Sequence, residues 1–495
     1  MEERAKGATV DSPSDRKFLR MPLPLFMALL FYLGVLSATQ TVYGWSLMPL
    51  RWVALALFGS VACADWLIRL NRGQDRIDLR GLPQGTLLFL AFTLPSIFTS
   101  ENFSFSGLRW LSVAILILTF SIFLRGLLAK ISPHQLLLLF KVITLTLLII
   151  SIFFPAPKTV FTGAFFQGAM GDPNSLGHVA LIATLVYLHG AFAATHKHWR
   201  FIQGTIAFFS LATMALTFAR SSMMAFITGI ILMSVFYRIT QSLLAKALVF
   251  LAIAIFLASP FLHERSLAFI QKEKALYMSP SLGGSLSADP TGNLPLPGRI
   301  FQSRESLWSE AWRGFTESPL VGWGFGLNMD SPKTWVIGYT AIGMTRDITN
   351  DPLFILEGCG LIGLMGYISF VLMIWKQSPS RAQVTRIHLD LLRNKDRIPR
   401  GRAPRRSSRL GTSKVPASQT PSISPPEGAS AGADSRDHAH AIFYVLSMSL
   451  WVLFMFDGTA FSAGSLISVL FWISAGICGS LWVSLPQAQG HSFPR

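Results

Sequence analysis

Charge is scarce in this chain. Asp, Glu, Lys and Arg together make up 14% of its 495 residues, while 51% are hydrophobic. With a mean hydropathy of +0.48, the composition excludes a soluble globular domain of this length and points to a polytopic membrane protein. Cysteine is nearly absent. Cys63, Cys359 and Cys478 are the only three, and all fall inside apolar runs, so no disulfide framework and no Cys-based metal site is expected; they read as packing residues. Acidic residues are also few, 25 against 42 basic ones. None of the outward-facing segments between the apolar runs offers a cluster of Asp, Glu and His at metal-ligand spacing.

What is abundant is long apolar sequence. Runs of about 20 residues, the length that crosses a bilayer as helix, lie near 21–41, 49–69, 82–99, 108–128, 135–154, 176–195, 200–218, 221–238, 242–262, 353–375, 441–457 and 462–484. The expected fold class is all-α, with about twelve transmembrane helices. Placing the N-terminus inside puts 29 of the 42 Lys and Arg on the inner side, the asymmetry that orients membrane proteins. The net charge of +17 is then a topology signal, and no nucleic-acid partner is expected. Arg4, Lys6, Arg16, Lys17 and Arg20 precede a first run that is too long, and lacks the small-residue site, for a cleaved leader.

This topology divides the chain into an inner tail (1–20), nine helices (21–262), a large outer loop (263–352), a tenth helix (353–375), a basic inner loop (376–440), two more helices (441–484) and an inner C-terminal tail (485–495). The inner loop is rich in Arg, Ser, Pro and Gly, as in Arg400 to Arg409 and Pro416 to Pro426, and disorder is expected there. The outer loop keeps its apolar and aromatic residues. Across Ser303 to Thr316, Leu307, Trp308, Ala311, Trp312 and Phe315 share one helical face, with Arg304 at its edge. That spacing predicts an amphipathic helix able to rest at the membrane interface, stopped by Pro319.

Two charges inside or beside apolar runs need a reason. Arg220 stands in Leu216-Thr-Phe-Ala-Arg220-Ser-Ser222 between two spans; it is either an interfacial snorkelling residue or a guanidinium facing a polar cavity. Glu357 lies about one turn inside the tenth span and is either salt-bridged or cavity-facing. Between the amphipathic helix and Glu357 comes Pro319-Leu-Val-Gly-Trp-Gly-Phe-Gly326. Its alternating glycines permit close backbone approach, to a ligand or to another segment; no strand leads into them, so they are not a dinucleotide fingerprint.

Four motifs, in order, resemble the bacterial O-antigen ligase and Wzy-type O-antigen polymerase superfamily. They are Gly171-Asp-Pro-Asn174-Ser-Leu-Gly177; Thr217-Phe-Ala-Arg220-Ser221; Arg304 with Trp308 followed by Pro319-Leu-x-Gly-x-Gly324; and Thr349-Asn350 through Leu353 and Glu357 to Gly363. The resemblance covers roughly residues 160–375 and the twelve-span plan. It implies a glycosyltransferase of the bacterial cytoplasmic (inner) membrane with both termini cytoplasmic. Such an enzyme takes a glycan from an undecaprenyl-diphosphate-linked donor to a glycan or lipid hydroxyl acceptor at the outer face, with inversion, no metal and no cofactor. Arg220 and Arg304 then match the arginines that hold the lipid diphosphate and stabilise its charge as the sugar leaves. Asn174, Asn350, Trp308 and Gly324 fall at substrate-binding positions of the same motifs.

One position departs from the pattern. Ligases of the family carry a His-Asn pair where this chain has Thr349-Asn350, and an attacking hydroxyl needs a group to take its proton. Asp347, Asp351 and Glu357 are the nearby substitutes and His178 a distant one, although Asn350-Asp351-Pro352 also suits a helix cap. Ligase and polymerase chemistry both remain open. A transporter or flippase, its pathway lined by Lys141, Asp65 and Asp457, is the alternative from another class, as is a non-catalytic component bound to polysaccharide-export proteins.

Overall fold

The computed structural model describes residues 41–42, 45–46, 48–73, 81–124, 133–153, 161–162, 165–166, 173–194, 196–217, 219–237, 250, 308–327, 351–396, 427–457 and 466–484. In chain order the helices are α1 (Met48–Asn71), α2 (Leu82–Thr93), α3 (Pro95–Thr99), α4 (Phe103–Leu118), α5 (Pro133–Phe153), α6 (Pro173–Ala193), α7 (Lys197–Thr217), α8 (Arg220–Tyr237), α9 (308–317), α10 (Asp351–Trp375), α11 (Arg381–Asp396), α12 (Glu427–Asp457) and α13 (Leu466–Ser484). Apart from helix, the described residues hold two antiparallel bridges, Thr41–Val42 with Trp45–Ser46 and Phe161–Thr162 with Phe165–Phe166.

Seven helical stretches among the described residues are long and apolar enough to cross a membrane: Leu82–Thr99, Phe103–Phe123, His134–Phe153, Asn174–Ala193, Arg220–Tyr237, Asp351–Trp375 and Asp437–Met455. The chain is thus an all-helical, multi-pass membrane protein. Helix also occupies most of the expected spans at 49–69, 200–218 and 462–484 as α1, α7 and α13; all but one residue of each of the spans at 21–41 and 242–262 lies outside the described residues.

Local sequence explains the irregularities. Pro95 has no N–H to give to its own turn, so α2 and α3 meet at a break, and the hydroxyls of Thr93 and Ser96 donate to Phe89 O (2.9 Å) and Thr93 O (2.7 Å) there. Asn102 caps α4 by accepting from Phe105 N. The far end of α4 widens into a π turn, Thr119–Phe123. Arg69 reaches it from α1, donating Nη2 to Phe123 O at 2.9 Å while its Nε pairs with Asp65 at 2.9 Å.

α6 forms the centre, with Leu176 through Leu188 buried on every side, as an all-round apolar helix should be. α12 serves as a ruler through the bundle. It runs antiparallel to α8, since Tyr237 Oη donates to His438 O and Gly229 sits against Ser449. It also runs antiparallel to the second half of α10, with Trp451 Nε1 donating to Tyr367 Oη at 3.0 Å. Arg220 and Gly360 therefore lie toward one end of the bundle, and Tyr237, Gln377 and His440 toward the other. Small residues let backbones approach: Gly85 faces the Phe370 and Met373 turn of α10, and Gly366 faces Phe89 of α2.

The structure departs from the sequence-based expectation in two places. The segment 376–440, where disorder is expected, is helical at Arg381–Asp396, and α12 already begins at Glu427. Gln383, Val384 and Ile387 make one helical face, and that face docks. Ile387 is fully buried, and Gln383 Nε2 reaches Asp437 Oδ1 at 3.2 Å and His440 Nδ1 at 3.1 Å. The abundant Arg, Ser and Pro that suggest disorder fall largely at 397–426, outside the described residues. The second departure concerns the tenth span, which is not one straight helix. Gly360 inside it has φ 64° and ψ −163°, a region essentially reserved for glycine, dividing it into α10a (351–359) and α10b (361–375).

Candidate functional site

Arg220 opens α8, with two residues between it and Thr217 at the end of α7. The chain turns there because Thr217 Oγ1 accepts from Ala219 N at 3.4 Å and the helix restarts with Met223 N donating to Ala219 O. Gly177 on the first turns of α6 packs into this junction. A Cβ at Gly177 would overlap Ala219 Cβ and lie 2.9 Å from Thr217 Oγ1 and 3.1 Å from Ser222 Oγ. Two motifs distant in sequence thus become one structural unit, and its contact requires glycine. Arg220 and Asn174 are half-buried and His178 is buried. The N-termini of α6 and α8 lie side by side, so their backbone N–H groups and Arg220 put positive potential at the same end of the bundle, the arrangement that attracts a phosphate.

The second unit is built from the outer-loop motif and α10. α9 turns Ala311 and Gly314 inward, whereas Trp312 is 55% exposed and rests on Phe315, 5.2 Å between rings. The small residues of the helix are thus the ones that pack against the protein, while Trp312 stays on its outer side. Trp308 is half-buried. Glu357 occupies the room left by Gly314: a Cβ there would lie 2.5 Å from Glu357 Oε1. Trp323 Nε1 donates to Gly314 O at 2.8 Å, and Ser318 Oγ to Gly322 O at 3.1 Å, closing the turn after α9.

That turn clasps the break in α10. Leu361 N and Ile362 N donate to Pro319 O (2.9 Å) and Leu320 O (3.2 Å), while Trp323 N and Gly324 N donate to Glu357 O (3.1 Å) and Gly358 O (2.8 Å). These four bonds occupy the backbone groups that a continuous helix would have paired internally. Gly322, Gly324 and Gly326 all have positive φ, at 71°, 120° and 75°. Side chains there would strike Gly358, Ser100 and Arg109 respectively, and the Arg109 guanidinium donates to Gly326 O. The alternating glycines thus serve backbone-to-backbone approach, and Gly324 faces Ser100 and Ser106.

α10a folds back along α10b. Asp351 lies close enough to Tyr367 to act on it electrostatically, although sixteen residues of continuous helix would separate them by about 24 Å. Gly363 likewise meets the side chain of Ile355, two turns earlier. Phe354 and Phe325 pack edge to face at 6.2 Å, sealing the hairpin to the clasp. Asp351 and Glu357 are each 1% exposed. Glu357 sits under α9, and Asp351 lies on the Tyr367 side of the arm. Both acids fall on one short arm that residues from several elements hold in place.

Arg304, Asp347, Thr349 and Asn350 lie outside the described residues. Of the rest, Arg220, Asn174 and His178 share the first unit, and Glu357, Gly324 and Trp308 the second, with Asp351 on the arm beneath it. Sequence reasoning missed Tyr367, Trp451 and Arg109; the signal for the reversal was Gly358-Cys-Gly360 within an apolar run. Two of the three charges assigned to a transport pathway have local partners. Asp65 pairs with Arg69, and Lys141 Nζ donates to Gln203 Oε1 at 2.6 Å.

Comparison with known proteins bears on the same elements. No curated protein matches the chain. Residues 205–368 match the O-antigen ligase family, a stretch that runs from within α7 to within α10b and contains the Arg220 junction, the glycine clasp and the Gly360 reversal. This match supports the likeness of the region to the O-antigen ligase and polymerase superfamily.

Proposed function

We propose that the protein is a membrane glycosyltransferase that moves a glycan from an undecaprenyl-diphosphate-linked donor to a hydroxyl acceptor, without a metal, at the outer face of the bacterial cytoplasmic membrane. The observation that carries this reading is Arg220 at the paired N-termini of α6 and α8, within the stretch that matches the family. A guanidinium backed by two helix N-termini suits the charge that develops on a leaving diphosphate, and it stays ionised throughout.

In the proposed reaction the acceptor oxygen attacks the anomeric carbon from the face opposite the diphosphate. The anomeric C–O bond breaks, its electron pair leaves with the lipid diphosphate, and configuration inverts. Arg220, joined in this reading by Arg304 of the outer loop, meets the departing charge; Asn174, Asn350 and Trp308 contact the donor. The hydroxyl proton passes to a carboxylate of α10a. Asp351 and Glu357 take the place of the family histidine, and burial of both favours a base held in a dry, fixed position.

The test is transfer in proteoliposomes from a labelled undecaprenyl-diphosphate oligosaccharide, comparing wild type with Arg220→Ala and Arg304→Ala at matched amounts of folded protein. Product from wild type and its loss in both variants is the expected result. Absence of product from wild type with competent donor and acceptors overturns the enzyme reading in favour of transport or scaffolding.

A further inference from the structure

The reversal at Gly360 lays α10a against α10b in a definite register. Gly363 packs on Ile355, whose Cγ2 would lie 3.4 Å from a Cβ there. Asp351 is one helical turn before Ile355 and Tyr367 one turn after Gly363, so the same register sets Asp351 beside Tyr367. The pair is close enough for the carboxylate to act on the hydroxyl electrostatically, and both side chains are buried, 1% and 5% exposed.

α12 meets the same hydroxyl with two side chains one turn apart. Trp451 Nε1 donates to Tyr367 Oη at 3.0 Å, and Tyr367 Oη donates to Met455 Sδ at 3.8 Å. An indole nitrogen only donates, so the Trp451 bond takes up a lone pair of the hydroxyl and leaves its hydrogen for another acceptor. The thioether that now takes it is a weak acceptor, and an ionised carboxylate is a much stronger one. Joining α12 to α10b requires only the Trp451 bond. The hydroxyl hydrogen is not needed for that link, and the register holds it beside Asp351.

We propose that Tyr367, fixed by Trp451, is a positioning residue for Asp351 as the base of the transfer reaction. The inference rests on the glycosyltransferase reading above, and within it assigns the proton to Asp351 rather than Glu357. As the acceptor oxygen attacks, its O–H bond breaks, the electron pair stays with that oxygen and the proton moves to one carboxylate oxygen of Asp351. The Tyr367 O–H turns from Met455 to the other carboxylate oxygen and holds the group in one orientation. Tyr367 itself neither gains nor loses a proton.

The test uses full-length protein in proteoliposomes with the undecaprenyl-diphosphate donor. Tyr367→Phe, which keeps the ring and removes the hydroxyl, should lower kcat about 10–100-fold with KM for the donor unchanged, the usual contribution of one hydrogen bond to a charged group. Trp451→Phe should lower kcat about 2–10-fold in the same way, and serves if Tyr367→Phe does not fold. In an Asp351→Asn background Tyr367→Phe should add no further loss, because it acts through the carboxylate alone. A purely structural role would lower both backgrounds alike, and that result overturns the proposal. Full transfer by Asp351→Asn also overturns it, while leaving the glycosyltransferase reading in place with Glu357 as base. The hydrogen bond is read without turnover in the carboxylate infrared band that Asp351→Asn removes, which Tyr367→Phe should shift. Absence of such a band, or a band that Tyr367→Phe leaves in place, overturns the proposal. If wild type transfers nothing, the enzyme reading falls, and the infrared band by itself decides whether Tyr367 holds Asp351.

Discussion

The two ends of this bundle are built on different principles. At the Arg220 end, segments meet at glycines: Gly177 lies against the Ala219 methyl, Gly322 against the Gly358 backbone, and Gly360 against the Leu320 backbone, with helices that stop, restart or double back. At the Gln377 end, regular helices are joined by side chains, as Gln383 bridges Asp437 to His440 and Tyr237 reaches His438 O. The first construction fixes polar groups inside a membrane protein without long flexible side chains, which a site for chemistry needs. The second is tolerant, because each link is one side chain deep.

Substitutions should separate the two constructions sharply. The largest effect is expected from Gly360→Ala. Its backbone lies in a glycine-only region and a Cβ would meet Leu320, so the strain of that conformation and the overpacking together cost about 3–5 kcal/mol. Loss of folded protein on size exclusion would show it; a well-folded, active Gly360→Ala would rule out a clasped reversal. Next comes Arg220→Ala, which should fold and lose about 10²–10³-fold in transfer rate, with Arg220→Lys recovering part of the charge but not the fork.

Asp351→Asn decides between the two candidate bases. If Asp351 accepts the proton, the rate falls by about 10²–10⁴ with donor binding unchanged; if only Glu357→Gln shows that loss, the role moves up the arm. The smallest effect belongs to the other end. Gln383→Ala removes the bridge between Asp437 and His440 and should cost about 1–3 kcal/mol of stability, seen as a lower Tm, while transfer per folded molecule is unchanged. A transfer defect there would mean that the two ends are coupled.

Much of the Arg220 end was legible in the sequence. A charge between apolar runs, Pro-Asn before a span and a Gly-rich turn are local signals, and the Gly171–Gly177 and Thr217–Ser222 motifs do pack together. The reversal at Gly360 was not legible, because Gly358-Cys-Gly360 lies in an unbroken apolar run and glycine is tolerated inside straight membrane helices. The place of Asp351 followed from that reversal and stayed hidden with it. The docked α11 was masked by neighbouring Arg, Ser and Pro, whereas its own Gln383, Val384 and Ile387 spacing is helical. Lys141 reads as a pathway charge in the sequence because its partner Gln203 is 62 residues away. The room for that pair comes from Gly190 on a third helix, and only packing brings the three together.

Whether Arg220 acts on the leaving diphosphate is tested most directly with donors that differ only there. Single-turnover transfer would be followed from undecaprenyl-diphosphate and undecaprenyl-monophosphate versions of one oligosaccharide, with wild type and Arg220→Ala. Wild type should strongly prefer the diphosphate, and Arg220→Ala should lose most of that preference, chiefly by slowing the diphosphate donor. An equal loss on both donors, or no loss on either, would contradict a role for Arg220 at the leaving group.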